Sequence, residues 1–179
     1  ISILHSIGDV QSKEGTELFL RNKTLLSPLE LKETNLTPDE LFDSLMKEFP
    51  WFEGENEHIA SSIAINKVSE SPSWFKTVLL NGPPGIGKTR WGKKVASLLN
   101  CGFGFFSFSG INSSMGIKGS ERGWSNCHPG LYADIIKREK IGNPIILIDE
   151  IDKAISSKNG DPYDALLPFL ERETSSKYE

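Results

Sequence analysis

The stretch that most constrains the fold of this chain is GPPGIGKT, Gly82 to Thr89, which lies between an apolar run and a helical pattern. It matches the spacing G-x-x-x-x-G-K-[ST], which requires a strand before the loop and a helix after it. The preceding TVLLN predicts that strand, and GKTRWGKKVASLL predicts the helix. Glycines allow a tight turn that brings backbone N–H groups against phosphate oxygens, and a helix N-terminus adds to that attraction. The stretch therefore predicts a phosphate-binding loop.

The residue types in this loop predict a nucleotide bound together with Mg²⁺. The ammonium of Lys88 can reach the β- and γ-phosphates, and the hydroxyl of Thr89 can ligate the metal. The predicted nucleotide-binding residues are Gly82, Pro83, Pro84, Gly85, Ile86, Gly87, Lys88, Thr89 and Arg90. We expect ATP and Mg²⁺ as cofactors, with Lys88 also contributing to catalysis.

A second acidic signature, NPIILIDE, lies further along the chain, and its unbroken apolar run predicts a strand buried on both faces. Asp149 ends the run and is expected to enter the Mg²⁺ shell. Glu150 follows it and is expected to polarise the water that attacks the γ-phosphate. A solvated acidic turn after a hydrophobic strand is the alternative, but the phosphate loop upstream favours catalysis. Asp152 and Lys153 either support this site or lie on the ordinary surface.

From Phe75 onward, short apolar runs alternate with helical patterns, which is typical of βα units around a parallel sheet. CGFGFFSFSG predicts a second strand, and PGLYADIIKREK predicts a helix. DPYDALLPFLERE predicts a further helix that begins with Asp161 as N-cap, and Pro168 is expected to bend it.

Two helical patterns precede this region. TPDELFDSLMKEF predicts a helix that starts with a capping box formed by Thr37 and Glu40. ENEHIASSIAINKVSE predicts a second helix. Between them, Phe49, Trp51 and Phe52 are expected either to line an adenine pocket or to anchor these helices to the core. We therefore predict an arm or linker of open structure at 1–36, a helical lead-in at 37–74, and a nucleotide-binding subdomain at 75–179.

Composition disfavours some classes of partner. The formal net charge of −4 argues against non-specific nucleic-acid binding, which usually leaves a basic footprint. No apolar run approaches the roughly 20 residues that cross a bilayer. The two cysteines fit a reducing compartment. We therefore predict a cytoplasmic location and no membrane partner, and the charge disfavours a nucleic-acid partner.

Three ordered stretches, LLNGPPGIGKT, NPIILIDEIDKA and GDPYDALLPFLE, together resemble the ATPase module of the AAA+ superfamily, specifically its Lon-like branch. The resemblance spans Phe75 to Glu173. It implies a three-layer α/β P-loop domain with a mainly parallel sheet. It also implies ATP hydrolysis within a homo-oligomeric, hexameric ring whose arginine finger comes from a neighbouring subunit. Sensor residues, arginine finger and C-terminal lid are then expected beyond Glu179, so we expect the chain to be a fragment, with no Ser-Lys protease dyad assigned inside it.

The resemblance also covers GSERGWSNCHPG, which occupies the place of the pore loop in Lon-like proteins. It implies that Trp124, followed by Ser125, is presented to the axial channel and grips an extended polypeptide. Family members usually follow the aromatic with an apolar residue and glycine, whereas Ser125 and Asn126 follow it here. The alternative is that Trp124 packs against its own domain.

The function predicted is Mg²⁺-dependent ATP hydrolysis that drives the remodelling or unfolding of proteins. Two alternatives remain open. One is an AAA+ ATPase that remodels nucleic acid or nucleoprotein complexes, and the other is a nucleotide-gated scaffold with little turnover.

Overall fold

The computed structural model of the 179-residue chain describes residues 11–70, 75–109, 117, 119, 130–153 and 161–170. The helices are α1 (Lys13–Leu26), α2 (Pro38–Glu48), α3 (Glu53–Val68), α4 (Lys88–Leu98), α5 (Leu131–Glu139) and α6 (Pro162–Leu170), and the strands are β1 (Phe103–Ser107) and β2 (Ile145–Asp149). Short 3₁₀ turns cover Pro50–Phe52 and Ile151–Lys153. Within these described ranges, no helix combines the length and the apolar character that crossing a membrane requires.

The first lead-in helix, α2, begins where its capping residues predict. Thr37 accepts a hydrogen bond at its Oγ1 from the Glu40 N–H at 3.2 Å, and the Glu40 carboxylate accepts one from the Thr37 N–H at 2.8 Å. The predicted capping box is therefore confirmed. Pro50 follows α2 and opens the 3₁₀ turn that leads directly into α3. This short turn brings α2 and α3 together, and the two helices pack against each other.

Helices lie on both faces of a two-stranded parallel sheet. The strands pair in register from Phe103 opposite Ile145 to Ser107 opposite Asp149. On one face α4 approaches so closely that a Cβ added at Gly92 would lie 2.8 Å from Leu147 Cδ1. On the other face α5 approaches Gly104. This arrangement confirms the three-layer α/β organisation predicted from the sequence.

The strand predicted just before the phosphate loop is not formed. Residues 75–80 belong to no strand, although Val78 and Leu80 pack against the core while Leu79 is 78% exposed. This alternation is what a half-buried strand would show. A strand also needs a neighbour to complete its ladder of hydrogen bonds. In the described part of the chain, β1 and β2 pair with each other and neither pairs with residues 75–80.

The apolar core extends across the predicted boundary between the lead-in and the nucleotide-binding subdomain. The cluster combines buried residues of α2, the 3₁₀ turn, α3 and α4 and their flanks: Leu41, Leu45, Phe49, Phe52, Ile59, Ile63, Trp91, Val95 and Leu99. A second cluster joins α6 to the sheet and comprises Phe108, Ile117, Ala165 and Leu166. The predicted cap of α6 is present, since Asp161 Oδ1 accepts the Tyr163 N–H at 2.9 Å, and the helix continues through Pro168 to Leu170.

The segment 1–36, predicted as an arm or linker, contains α1 and a stretch after it that contacts the rest of the chain. Glu30 forms a parallel bridge with Ile141, and its carbonyl accepts the Gly142 N–H at 2.8 Å. The Asn143 side chain accepts the Lys32 N–H and donates to the Lys32 carbonyl, each at 2.8 Å. The arm is thereby held against the segment that leads into β2.

Candidate nucleotide-binding site

The phosphate loop has the backbone that its glycines allow. Gly85 and Gly87 have φ angles of +82° and +102°, in the left-handed region that glycine adopts without strain. Gly87 is the N-cap of α4, and its carbonyl accepts the Trp91 N–H at 2.8 Å. The free N–H groups of the first helical turn therefore emerge directly from the loop, which is the arrangement that attracts phosphate.

The side chain of Lys88 lies across the loop. Its ammonium donates to the carbonyl of Gly82 at 2.8 Å and to that of Pro83 at 3.2 Å. The positive charge is thus held at the start of the loop, while Thr89 follows in the first turn of α4 with a half-buried side chain. The Lys88 ammonium, the Thr89 side chain and the first backbone donors of α4 therefore belong to one short stretch of the chain.

The three lead-in aromatics have different roles in the structure. Phe49 and Phe52 are buried in the core, as expected for an anchor. The Phe49 ring also contacts the loop, since its Cε1 lies 3.6 Å from the Cβ position of Gly87. Trp51 is 55% exposed, and its indole N–H donates to the Ile86 carbonyl at 3.1 Å. Of these three aromatic residues, Trp51 alone presents ring surface to solvent beside the phosphate loop.

A charged cluster joins the lead-in to α4. Glu48 pairs with Arg90 at 2.7 Å and with Lys94 at 3.2 Å. The hydrogen bond from Lys94, with a further contribution from Arg90, lowers the pKa of the Glu48 carboxyl below its ordinary value. The Arg90 guanidinium also lies over the Phe49 ring, 5.7 Å from its centroid. Arg90, a predicted nucleotide-binding residue, therefore contacts the lead-in in this structure.

The acidic end of β2 is built together with the end of β1. Because Ser107 and Asp149 are opposite each other in the register, both strands end at the same edge. Asp149 Oδ1 accepts the backbone N–H of Glu150 at 2.9 Å. Glu150 has a φ of +53°, an uncommon value for a residue with a side chain and one that concentrates at functional sites.

Two groups hold the carboxylate of Glu150. The Ser107 hydroxyl donates to Oε2 at 3.1 Å, and the Lys153 ammonium forms an ion pair with Oε1. These contacts, Lys153 first, lower the pKa of Glu150 below that of an ordinary glutamate. The same pairing raises the pKa of Lys153. The lowered pKa keeps the carboxylate ionised to lower pH than in an ordinary glutamate.

The helix that begins at Lys88 and the strand that ends at Asp149 are in direct contact through Gly92 and Leu147. The two predicted halves of the site thus belong to adjoining elements. Trp124 and Ser125, the predicted pore-loop residues, lie outside the described residues. Sequence reasoning missed Ser107 as a partner of Glu150, since no local pattern marks a contact between residues 43 positions apart.

Comparison with known proteins places this site in a family. The model for the ATPase family associated with various cellular activities (AAA) matches residues 78–178, which is more than half of the chain. The chain therefore belongs to the AAA ATPase family, whose P-loop fold and hydrolase activity agree with those predicted from the sequence.

The similar proteins narrow the branch of this family. The Lon protease of Magnetococcus marinus is 37% identical over 126 residues, covering 70% of this chain and 16% of the relative. The mitochondrial Lon protease homolog of Schizosaccharomyces pombe is 45% identical over 103 residues, covering 58% of this chain and 10% of the relative. The Lon protease of Chlamydia trachomatis is 35% identical over 134 residues, covering 75% and 16%. The predicted Lon-like AAA+ ATPase module is confirmed, and the chain spans 16% or less of the length of these relatives.

Proposed function

We propose that this chain binds ATP with Mg²⁺ at the loop Gly82–Thr89 and hydrolyses it with Glu150 as the general base. The observation that supports this most strongly is the loop itself. Its left-handed glycines, the Lys88 ammonium across its carbonyls and the emerging N–H groups of α4 form a cradle for a chain of phosphates.

Mg²⁺ fits the oxygen donors that the site offers. The Thr89 hydroxyl and the Asp149 carboxylate are hard ligands of the kind that Mg²⁺ prefers. When bound, the metal would neutralise charge on the phosphate oxygens. Lys88 would place its ammonium beside the β- and γ-phosphates, and Arg90 would follow at the edge of the loop.

In the reaction, a water oxygen attacks the γ-phosphorus in line as the bond to the β-phosphate oxygen breaks. Glu150 takes the proton from that water, and the products are ADP and inorganic phosphate. Ser107 and Lys153 hold the carboxylate of Glu150 ionised and oriented at the end of β2. The ring of Trp51, exposed next to Ile86, is available to the base of the nucleotide.

We further propose that hydrolysis drives the remodelling of a polypeptide in a homo-oligomeric ring, with Trp124 and Ser125 at the pore. The likeness to Lon proteases supports this proposal. The compartment we propose is the cytoplasm. The alternatives are the remodelling of nucleoprotein complexes and a nucleotide-gated scaffold, which differ from a motor in what stimulates turnover.

The experiment is ATP hydrolysis by the full-length protein with an unfolded polypeptide or duplex DNA added. We expect the polypeptide to stimulate hydrolysis. Trp124→Ala should reduce polypeptide processing by about tenfold or more, as for other tryptophan binding hot spots. Trp124→Phe, which keeps an aromatic ring, should retain most of it. Stimulation by DNA alone would favour the nucleoprotein alternative, and processing unaffected by Trp124→Ala would reduce Trp124 to loop packing.

A further inference from the structure

A buried amide lies at the centre of the junction between the lead-in and the phosphate loop. The Asn56 side chain on α3 is fully buried within an otherwise apolar cluster. Its Oδ1 accepts the indole N–H of Trp91 at 2.8 Å, and its Nδ2 donates to the Phe49 carbonyl at 3.0 Å. The same Nδ2 lies 3.4 Å from the sulfur of Met46. One side chain thus joins α3, the turn after α2 and α4.

A buried amide of this kind specifies geometry more than it adds stability. Burial of an amide is unfavourable unless its donors and acceptor are satisfied. An apolar side chain would fill the same space without directional requirements. Because the hydrogen bonds of Asn56 are directional and lie in a low-dielectric surrounding, they select one orientation of Trp91 relative to Phe49.

Two of the residues that Asn56 contacts, Trp91 and Phe49, also contact the same residue of the phosphate loop. Trp91 donates its backbone N–H to the Gly87 carbonyl at 2.8 Å, the first hydrogen bond of α4. The ring of Phe49 lies against Gly87, 3.6 Å from its Cβ position. Gly87 has the most positive φ of the loop, +102°, and directly precedes Lys88. The oxygen and the nitrogen of the Asn56 amide therefore hold the two residues that contact Gly87. The shape of the loop depends on Gly87.

We propose that Asn56 is a positioning residue for nucleotide binding, acting through Trp91 and Phe49 to hold Gly87 and the start of α4 in the phosphate-binding shape. This inference rests on the proposed function, since it concerns the affinity of the same loop for ATP. Asn56 and Trp91 are 35 residues apart, and only the fold brings them together.

The test is calorimetric titration of Mg²⁺-ATP into the full-length protein and four variants, well below each unfolding midpoint. Trp91→Phe keeps a six-membered aromatic ring but removes the indole N–H together with the rest of the five-membered ring. Asn56→Leu replaces the amide with an apolar group that has the same number of heavy atoms. We expect Trp91→Phe, which loses one buried hydrogen bond, to weaken ATP binding by about three- to tenfold, and Asn56→Leu, which loses two, by at least as much. The double variant should bind no more weakly than the weaker single variant, because Asn56→Leu already removes the hydrogen bond that Trp91→Phe removes.

Asn66→Ala is the matched control, since Asn66 is also a buried asparagine of α3 and lies about 15 Å further along the helix than Asn56. It is expected to lower the unfolding midpoint while leaving the ATP affinity at the wild-type value. If Asn56→Leu fails to fold, Trp91→Phe alone decides.

The outcomes separate the two proposals. Absence of ATP binding by the wild type would overturn the proposed function and this inference together. Wild-type binding with unchanged affinity in Trp91→Phe and Asn56→Leu would overturn the inference alone. Additive losses in the double variant, or an equal loss in Asn66→Ala, would also overturn it, because the effect would then be general destabilisation.

Discussion

Glu150 combines a left-handed backbone with a carboxylate held on both oxygens. The ion pair with Lys153 lowers the pKa of this carboxyl, and the Ser107 hydroxyl donates a hydrogen bond to Oε2. Of the two residues whose role the sequence left open, Lys153 forms an ion pair with Glu150, although its side chain, like that of Asp152, is exposed. The same contact explains why the pKa of Glu150 is lowered although the residue lies close to another carboxylate, Asp149.

Replacing Lys153 is expected to change the pH dependence of hydrolysis. A base with a lowered pKa stays active until the pH falls through that lowered value. Lys153→Met removes the largest cause of the lowering, so the pKa of Glu150 should rise and the acid limb of kcat should move to higher pH. The measurement is a pH profile of kcat between about pH 4 and 8. Lys23→Met, an equal change of charge on α1, should leave the limb in place. An acid limb unmoved by Lys153→Met would show that Glu150 does not govern it.

At the scale of elements, glycines set how closely the helices approach the sheet. A Cβ added at Gly104 would lie 2.6 Å from Cδ1 and 2.8 Å from Cγ2 of Ile135, so α5 packs directly on the backbone of β1. Gly92 serves the same purpose for α4 on the opposite face. The separation of the three layers, and with it the placement of the site, depends on these two positions.

Gly104→Ala is expected to destabilise the fold by roughly 1–3 kcal/mol, because overpacking would force α5 away from the sheet. The measurement is the midpoint of denaturant unfolding. Gly54→Ala is the matched control: no atom lies within 4 Å of its added Cβ, and it lies in α3. Alanine there should be neutral or stabilising by up to about 1 kcal/mol. Equal midpoints for Gly104→Ala and wild type would contradict the close packing of α5 on β1.

Elements with local signals could be predicted from the sequence, and elements that depend on distant contacts could not. The capping box of Thr37 and Glu40 lies within one turn, so it marked the start of α2 correctly. The segment 75–80 has the right alternation for a strand, but the alternation carries no information about whether a neighbouring strand pairs with it. The helix α1 had no sustained apolar period to reveal it.

The residues of the candidate site divide in the same way, into those in contiguous motifs and those that act through distant contacts. The loop Gly82–Thr89 and the pair Asp149 and Glu150 are contiguous motifs, and their residues could be read directly. Ser107 and Asn56 act through contacts across the fold, where chain spacing is uninformative.

At the scale of the whole molecule, the lead-in and the phosphate-loop helix share one apolar core. The Glu48 cluster, the Trp51 bond to Ile86 and the Asn56 amide all cross the predicted boundary at residue 75. A movement of the lead-in would therefore displace residues of the phosphate loop and of α4. This junction offers a route by which the lead-in and the proposed nucleotide binding influence each other.

The most direct measurement is the turnover of ATP by Glu150→Gln in the full-length protein, determined beside its ATP affinity. We predict that turnover falls by about a hundredfold or more, because the water loses its general base, while ATP still binds to the intact phosphate loop. Asp152→Asn, a neighbouring exposed carboxylate, should keep wild-type turnover. Turnover by Glu150→Gln within about twofold of wild type would contradict the catalytic role assigned to Glu150.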